Sequence, residues 1–278
     1  MTAAGTLGFD DLTSSAGSAR AVPGGSALYF SLAARRLCPV RVAAAVGADG
    51  GPLLALLDSA AVDRSGVAAL PGATYRWRAE HRLADPVPLS EEQSLGVYRE
   101  WRPDLPAPLR RSEILFLGSM PPVRQIEVLD QSSPQVVALD TMRDFATTER
   151  DLLEDLLLRC DLFFANEAEL RALLPSAPPD PVDAAQAGVE RWHLTALVLK
   201  LGAEGALVVS SGRVSRVAPA TGPAVVDPTG AGDALAGGVI GRLAQLRRCD
   251  QGAIDQGLVD GGVAARRAIS AFGPGGLL

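Results

Sequence analysis

Short apolar runs alternate with helical patterns along this chain, and this alternation constrains the fold more than any other feature. The runs are almost continuously apolar, as is typical of strands covered on both faces of a sheet. Between them, apolar residues recur at helical spacing. Such alternation predicts a mostly parallel sheet with helices on both of its faces. The predicted strands are 41–46, 114–117, 136–139, 162–165 and 196–201, and the predicted helices are 26–37, 122–130, 147–159 and 182–192.

A second pattern predicts a small additional sheet. Residues 74–83, TYRWRAEHRL, alternate large and polar side chains, which is typical of a strand with one exposed face. A similar pattern lies near residues 11–22. Two such strands predict a small sheet that projects from the main body, either as a flap over a cleft or as a structural edge. Residues 206–209 and 214–218 predict a hairpin beside the main sheet.

Composition narrows the class of protein and its surroundings. The net charge of −6 argues against a broad nucleic-acid surface, because phosphate binding needs clustered cations. The three cysteines lack the spacing of a disulfide framework or a zinc site, which favours a reducing compartment. The first residues lack a signal-peptide pattern, and no apolar stretch is long enough to cross a bilayer. We therefore expect a cytoplasmic protein that binds neither nucleic acid nor a membrane.

The segment VDPTGAGDALAGG, residues 226–238, carries the clearest chemical signal. An apolar, strand-like stretch ends at Asp227, a glycine-rich turn follows, and a helical pattern starts near Asp233. The N–H groups and the dipole at a helix N-terminus bind anions, most often phosphate. A carboxylate beside a phosphoryl group in transfer can accept the proton of an attacking hydroxyl. The motif therefore predicts an anion hole at residues 230–232 and a catalytic base at Asp233; the simpler alternative is an aspartate that caps a helix.

Other nucleotide and metal motifs are missing from the sequence. No GxxxxGK[ST] loop is present, and Leu235 occupies the position of the third glycine of a dinucleotide-binding loop. The HExxH pattern is absent, and neither His81 nor His193 has a metal-ligand partner nearby in the sequence. The sequence therefore does not indicate an NAD site, and both histidines are expected to be solvent-exposed or structurally bonded.

Asn166 and Glu169 directly follow the predicted strand 162–165. Polar residues at the carboxyl end of a parallel strand line the usual ligand crevice of an open sheet. Carbonyl and carboxylate oxygens suit Mg²⁺, often through its bound waters. The same pair also has the spacing of a helix capping box. The two roles can coexist, and the sequence leaves both open.

Two further segments follow the same logic with less specificity. KLGAEG, residues 200–205, closes a predicted strand, and its glycines let a base or a phosphate lie against the backbone. PGGS, residues 23–26, opens a predicted helix, whose N–H groups can bind a polar ligand. A strand–turn–strand connection and a tight entry turn are the structural alternatives.

Taken in order, these motifs resemble those of the pfkB, or ribokinase-like, carbohydrate kinase family over nearly the whole chain. The segment at residues 227–238 is the most specific of them. The resemblance implies a three-layer α/β sandwich with a central, mostly parallel sheet and a small β lid. It also implies a single kinase domain over residues 1–278, with a lid formed by parts of 10–22 and 73–84. The other matching segments are GTLGFD at 5–10, PGGSALYFSLA at 23–33, VGADG at 46–50, ALDTM at 138–142, NEAE at 166–169 and KLGAEG at 200–205.

The resemblance implies an activity, the transfer of the γ-phosphoryl group of ATP to a hydroxyl of a sugar or sugar-like molecule. It also implies Mg²⁺ with ATP, a monovalent cation, typically K⁺, and a homodimer contact through the lid. The matching positions are Asp233 as the base; Gly230, Ala231 and Gly232 as the anion hole; Asp10, Gly24 and Gly25 for substrate hydroxyls; Lys200, Gly202, Gly205 and Thr229 near ATP; Asn166 and Glu169 for Mg²⁺, through water; and Asp227 for the monovalent cation.

Two predicted substrate contacts depart from the ribokinase pattern. Tyr29 stands where ribokinase has an asparagine that faces the sugar, and Arg143 stands where ribokinase has small residues. An aromatic ring and an arginine favour a substrate with a base or an added anionic group over free ribose. A nucleoside kinase is therefore the alternative with the same chemistry. A non-catalytic protein that senses nucleotides or sugars is the alternative of another class, although such a protein has no need for Asp233.

Overall fold

Strands and helices alternate along most of the chain, as the apolar pattern predicts. The structure, a computed structural model, describes residues 1–82, 88–219 and 221–278. The strands are β1 (Thr2–Ala4), β2 (Gly8–Ser14), β3 (Gly17–Gly24), β4 (Arg41–Val46), β5 (Asp63–Ala69), β6 (Tyr75–Glu80), β7 (Ser90–Ser94), β8 (Ile114–Leu117), β9 (Val136–Asp140), β10 (Leu162–Asn166), β11 (Ala196–Lys200), β12 (Ala206–Ser210) and β13 (Arg213–Val217). The helices are α1 (Ser26–Ala34), α2 (Gly51–Ser59), α3 (Ala107–Arg110), α4 (Pro122–Asp130), α5 (Arg143–Thr148), α6 (Arg150–Leu157), α7 (Glu167–Leu173), α8 (Pro181–Trp192), α9 (Ala231–Leu246) and α10 (Gln251–Ala268), with 3₁₀ turns at Gly96–Arg99, Gly202–Glu204 and Gly273–Leu277.

The main sheet contains nine of the described strands, in the order β13-β12-β11-β10-β9-β8-β1-β4-β5. All neighbours from β11 to β5 pair in parallel. At the other edge, β12 pairs antiparallel with β11 and with β13, as predicted for a hairpin. Parallel neighbours need crossover connections, which are usually helices, and these cover the two faces of the sheet. The predicted α/β class with a central, mostly parallel sheet is confirmed.

Two hydrophobic cores lie on opposite faces of this sheet. Along β4, Ala44 belongs to one core, whereas Ala43 and Ala45 belong to the other. In the first core, the rings of Phe30 and Phe116 stack with their centroids 3.9 Å apart. Because both faces are covered, nearly every position of a central strand is buried in apolar surroundings. This explains why these strands are continuously apolar in the sequence.

A second sheet of four described strands, in the order β3-β2-β6-β7, lies beside the main body. Strand β2 pairs antiparallel with β3 and parallel with β6, and β6 pairs antiparallel with β7. The predicted lid segments 10–22 and 73–84 contribute β2, β3 and β6, while residues 83 and 84 lie outside the described residues. Strand β7 has the sequence SEEQS and is mostly exposed, so it lacks the alternation that would have predicted it. We refer to this sheet as the lid.

Three predicted elements were wrong in their extent or type. The helix predicted over 26–37 ends at Ala34, and the helix predicted over 147–159 is replaced by α5 and α6, which Glu149 separates with φ −127° and ψ 38°. The strand-like stretch before the glycine-rich loop is irregular, because the N–H groups of Val226 and Asp227 both donate to the carbonyl of Ile269 instead of to a strand.

Within the described ranges, no helix is long and apolar enough to cross a membrane.

Candidate active site

The glycine-rich loop leads directly into α9, and Asp233 lies in the first turn of that helix. Gly230 precedes the helix with φ +74°, a conformation that residues with side chains rarely adopt. A Cβ atom at this position would also lie within 2.5 Å of the Tyr29 ring. Gly230 therefore occupies the cap position, so the alternative of Asp233 as a capping residue is wrong. The carboxylate of Asp233 is left available for chemistry.

The N–H groups of this loop are arranged for an anion. Ala231 donates its N–H to the carbonyl of Pro228 at 3.2 Å, which folds the loop under the start of α9. The following N–H groups, of Gly232 and Asp233, belong to the first helical turn and therefore have no acceptor within the helix. An anion at this point receives both the N–H groups and the positive end of the helix dipole. Among the predicted residues 230–232, Ala231 therefore uses its N–H within the loop, whereas Gly232 has no acceptor within the helix, and anion binding at this loop stays a prediction.

Asp10 lies on β2, on the lid side of the site, and its side chain is buried. Neither of its carboxylate oxygens has a hydrogen-bond partner among the described residues. A Cβ atom at Gly24 would lie within 2.6 Å of both oxygens, so a glycine there makes room for the carboxylate. Burial raises the pKa of Asp10 well above its usual range, and the charges of Asp227 and Asp233 raise it further. A buried carboxyl group without partners gains strongly from hydrogen bonds with ligand hydroxyl groups, and hydrogen bonds that it accepts favour its ionised form.

Tyr29 and Gly25 complete this side of the site. Gly25 precedes α1 with φ +98° and packs against the backbone of Thr6. The Tyr29 ring is buried beneath the glycine-rich loop, and its hydroxyl has no partner among the described residues. Burial raises the pKa of that hydroxyl, with smaller contributions from Asp10, Asp227 and Asp233. Tyr29 therefore supports the anion loop and keeps its proton at neutral pH.

Lys200, at the end of β11, lies at the centre of a group of carboxylates. Its Nζ atom is 2.8 Å and 3.1 Å from the two carboxylate oxygens of Asp140 and 3.6 Å from Glu169. Burial disfavours the ammonium, but the charges of Asp140 and Glu169 outweigh burial and raise the pKa of Lys200. The side chain of Lys200 also borders Gly232 of the anion hole. A fixed positive charge is thus held beside the place where a phosphate would bind.

The pKa of Asp233 is raised to about 7. Burial is the main cause, the negative charge of Asp140 adds to it, and Lys200 opposes it. Near neutral pH, both protonation states of Asp233 are populated, which is the property of an effective general base.

Asp140 was not predicted as a site residue, although it lies within the ALDTM segment and ends β9 at the carboxyl edge of the sheet.

A cleft of about 750 Å³ extends from the anion hole. Its lining includes Lys200, Gly202 and Gly205, which were predicted to lie near ATP. Thr229 is not part of this lining in the described residues. The far walls come from β12, β13 and α10, which the sequence did not connect with the site. They include Leu207, Arg216, Val217, Leu258, Gly262, Ala265 and Arg266.

Asn166 and Glu169 form the capping box of α7. The N–H of Glu169 donates to Asn166 Oδ1 at 2.9 Å, and the N–H of Asn166 donates to Glu169 Oε2 at 2.8 Å. Burial raises the pKa of Glu169 to about 7, against the effect of Lys200. These bonds engage one oxygen of each side chain, so the pair fits Mg²⁺ through its waters better than by direct ligation. Within the described ranges, no three His, Cys, Asp or Glu side chains form a metal-binding group.

Asp227 and Thr229 lie between the glycine-rich loop and the lid. Thr229 Oγ1 donates to Asp227 Oδ1 at 3.0 Å and lies 3.4 Å from Nε2 of the buried His81. Burial raises the pKa of Asp227 to about 6, against the hydrogen bonds from Thr229. Asp227 Oδ2 is buried without a partner among the described residues, which fits a carboxylate that holds a cation. His81 lies within the predicted lid segment 73–84, and its approach to Thr229 is the part that the sequence did not indicate.

Arg143 starts α5 and lies at the junction of the main body with the lid. Its guanidinium is 3.7 Å from the carboxylate of Glu91 on β7, and its side chain is half exposed. The adjacent Asp144 accepts a hydrogen bond of 2.7 Å from Gln93 on the same strand. The structure therefore brings Arg143 to the edge of the lid and not into the carboxylate group around Lys200.

A glycine-rich loop at the start of a helix, a buried carboxylate beside it and a small β lid on a mostly parallel sheet are typical of a ribokinase-like phosphotransferase. The family model described as pfkB family carbohydrate kinase matches residues 121–265, more than half of the chain. The chain belongs to this family. It is therefore a kinase with an alcohol group as acceptor and ATP as co-substrate.

Among curated proteins, a cytidine kinase from Thermococcus kodakarensis is 28% identical over 201 residues, which cover 69% of each protein.

Solved structures share the fold at low sequence identity. A nucleoside kinase from Methanocaldococcus jannaschii superposes with a TM-score of 0.78 at 16% identity, covering 98% of this chain and 92% of that one. A ribokinase from Thermotoga maritima gives 0.77 at 18% identity, covering 100% and 95%. A nucleoside kinase from Burkholderia thailandensis, solved in complex with inosine, gives 0.75 at 17% identity, covering 98% and 92%. These likenesses confirm the ribokinase-like fold.

Proposed function

We propose that this kinase phosphorylates a hydroxyl on the sugar part of a nucleoside. The observation that carries the proposal is the pair of buried carboxylates on the two sides of the site. Asp10 on the lid side has two free oxygens for sugar hydroxyls, and Asp233 on the helix side has a pKa of about 7. The cytidine kinase relative supports a nucleoside as the acceptor over a free sugar.

In this proposal, the acceptor sugar lies between Asp10 and Asp233. Asp10 forms hydrogen bonds with neighbouring hydroxyls, and Gly24 leaves the room that its carboxylate needs to take this position. Asp233 accepts the proton of the attacking hydroxyl as that oxygen bonds to the γ-phosphorus and the bond to ADP breaks. The N–H groups of the anion hole stabilise the charge on the phosphoryl oxygens.

ATP would occupy the cleft that begins at Gly232. Its phosphates would lie beside the ammonium of Lys200 and the N-terminus of α9, and Mg²⁺ would offset the nearby carboxylates. Its adenine would lie between the Gly202–Glu204 turn and the apolar face of α10, where Leu258 and Ala265 line the cleft. Thr229 would act at the edge of the loop, through Asp227, and not against the nucleotide.

Two cations would complete the site. Asn166 and Glu169, together with the neighbouring Asp140, would hold Mg²⁺ through its waters, and Mg²⁺ supplies charge neutralisation for the phosphates. The free oxygen of Asp227 would hold a monovalent cation such as K⁺ below the anion loop.

A dimer through the lid also remains part of the proposal, because β3 and β7 are the edge strands of that sheet.

The test is ADP release with Mg²⁺-ATP and K⁺ against a panel of nucleosides, sugars and sugar phosphates. A preferred nucleoside acceptor that is lost in Asp233→Asn would support the proposal. ATP must still raise the melting temperature of this variant, which shows that it folds and binds nucleotide. A folded Asp233→Asn variant with near-normal turnover would refute the base. Turnover of free sugars alone would refute the nucleoside, and silence with an intact ATP effect would favour a sensing protein.

A further inference from the structure

Three side chains form a row across one face of the lid. In the register of the sheet, Asp10 on β2 is opposite Trp77 on β6, and Trp77 is opposite Gln93 on β7. Residues that are opposite each other in neighbouring strands project from the same face. Strands lie about 4.8 Å apart, so the row runs roughly 10 Å from the carboxylate to the amide.

This face of the lid packs on the main body, because Tyr75, which shares a face of β6 with Trp77, is buried against the Tyr98 ring. Asp10 is close enough to Asp233 for the charge of Asp233 to raise the pKa of Asp10. The next register pair, Phe9 and Arg76, lies on the other face, where the guanidinium stands over the phenyl ring at 5.2 Å. Trp77 therefore continues the acceptor site outward from Asp10.

Trp77 packs against the edge of the same hydrophobic core as the other two tryptophans of the chain, but it is only half-buried and keeps part of its surface open. Trp101 and Trp192 are 2% and 1% exposed and pack in the hydrophobic core. Trp77 lies one strand away from Asp10, which is proposed to bind the sugar hydroxyls. A base attached to that sugar would therefore lie beside the Trp77 ring. Every nucleobase has a flat face that packs on an aromatic ring.

Gln93 ends the row with an amide in a fixed orientation. Its Nε2 donates to Asp144 Oδ2 at 2.7 Å, and its Oε1 lies 3.4 Å from the Tyr75 hydroxyl. Among the described residues, one amide N–H, one carbonyl lone pair and the second oxygen of Asp144 have no partner. Acceptors outnumber donors in this set. It therefore suits a base edge that carries an amino group beside a ring acceptor, as cytosine and adenine do.

We propose that Trp77, Gln93 and Asp144 form a nucleobase subsite that selects nucleosides over free sugars and amino-bearing bases over the others. The base packs on Trp77, and its polar edge meets Gln93 and Asp144. The Asp144 contact joins α5 to β7, so the subsite is complete only when the lid lies against the main body. This inference rests on the proposed function and names the part of the site that would recognise the base.

Tryptophan fluorescence tests the subsite without relying on turnover. Cytidine should change the emission of the wild-type protein, and ribose, which lacks a base, should not. The change should disappear in Trp77→Phe and persist in Trp192→Phe, the matched control for a core tryptophan. A cytidine-induced change that survives in Trp77→Phe would overturn the subsite.

Kinetics provide the second measurement. Trp77→Ala should raise KM for cytidine about tenfold, and Trp77→Phe should recover most of that loss. Gln93→Leu should reduce the preference for cytidine over uridine by about tenfold. Nucleoside turnover with a KM that Trp77→Ala leaves unchanged would overturn the subsite alone and leave the proposed function standing. Turnover of free sugars, with no nucleoside bound or phosphorylated, would overturn both.

Discussion

Gly24→Ala tests the position of Asp10 with a single methyl group. The φ angle of Gly24 is negative or extended, so alanine can adopt this backbone conformation without strain. The added Cβ would lie within 2.6 Å of both carboxylate oxygens of Asp10. Since non-bonded carbon–oxygen contacts rarely fall below about 3.3 Å, the carboxylate must move by at least roughly 1 Å in a core that is close-packed.

A displacement of about 1 Å in a group that positions a substrate can cost about 100-fold in rate. We therefore expect Gly24→Ala to lower kcat/KM for the acceptor by about 100-fold, mainly through KM. ATP should still raise the melting temperature, because the nucleotide cleft is formed by β11–β13, α9 and α10. The assay is ADP release at varied acceptor concentration, with the thermal shift by ATP measured in parallel.

Gly51→Ala is the matched control. Gly51 begins α2, and a Cβ atom there would meet no other atom within 4 Å. This variant should keep the wild-type KM for the acceptor. If Gly24→Ala also kept it, the acceptor would not be held by Asp10, and the proposed acceptor site would be wrong.

Three further predictions follow from the described contacts. Asp233 must be deprotonated to accept a proton, and its pKa is about 7. Where chemistry limits the rate, kcat should therefore fall as the pH drops below about 7 and level off above it. A flat pH profile of kcat between pH 5 and pH 9 would contradict this prediction. Tyr98→Phe should lower the free energy of unfolding by about 3 kcal/mol in urea titrations. The buried N–H groups of Leu7 and Ala45 both donate to the Tyr98 hydroxyl and would lose their acceptor. A loss below about 0.5 kcal/mol would contradict this prediction. If the lid forms a dimer, light scattering should give twice the mass of 28.8 kDa, and a proline in place of Glu92, in the middle of edge strand β7, should shift the protein toward the monomer.

Several parts of the fold could be read from local sequence because they depend on local chemistry. The strands Arg41–Val46 and Ile114–Leu117 and the helix Pro122–Asp130 have the predicted bounds, since burial on both faces or on one stripe leaves a clear apolar period. Strand β5 was missed because it is an edge strand that is largely exposed. The irregular stretch before Asp227 was misread as a strand: its apolar residues are exposed or half-buried, and its last two N–H groups donate to Ile269 at the end of α10 instead of to a strand.

The candidate site divides in the same way. The glycine-rich loop and Asp233 are neighbours in sequence, so the conformation needed at Gly230 and the helix that follows are visible as a motif. The contact of Lys200 with Asp140 joins residues 60 positions apart, and it exists because β9, β10 and β11 are neighbours in the sheet. No local pattern encodes that adjacency.

The sequence by itself determined the fold class, the glycine-rich loop with Asp233 in the helix that follows, and the strand pattern of the lid, because periodicity and glycine placement act over a few residues. Tertiary structure alone decided which charges meet. It placed Asp10 opposite Asp233, it surrounded Lys200 with carboxylates, and it aligned Trp77 and Gln93 with Asp10. The physical reason is that strand order and register are set by the packing of the whole molecule. The pKa values and ligand contacts of the site follow from that packing.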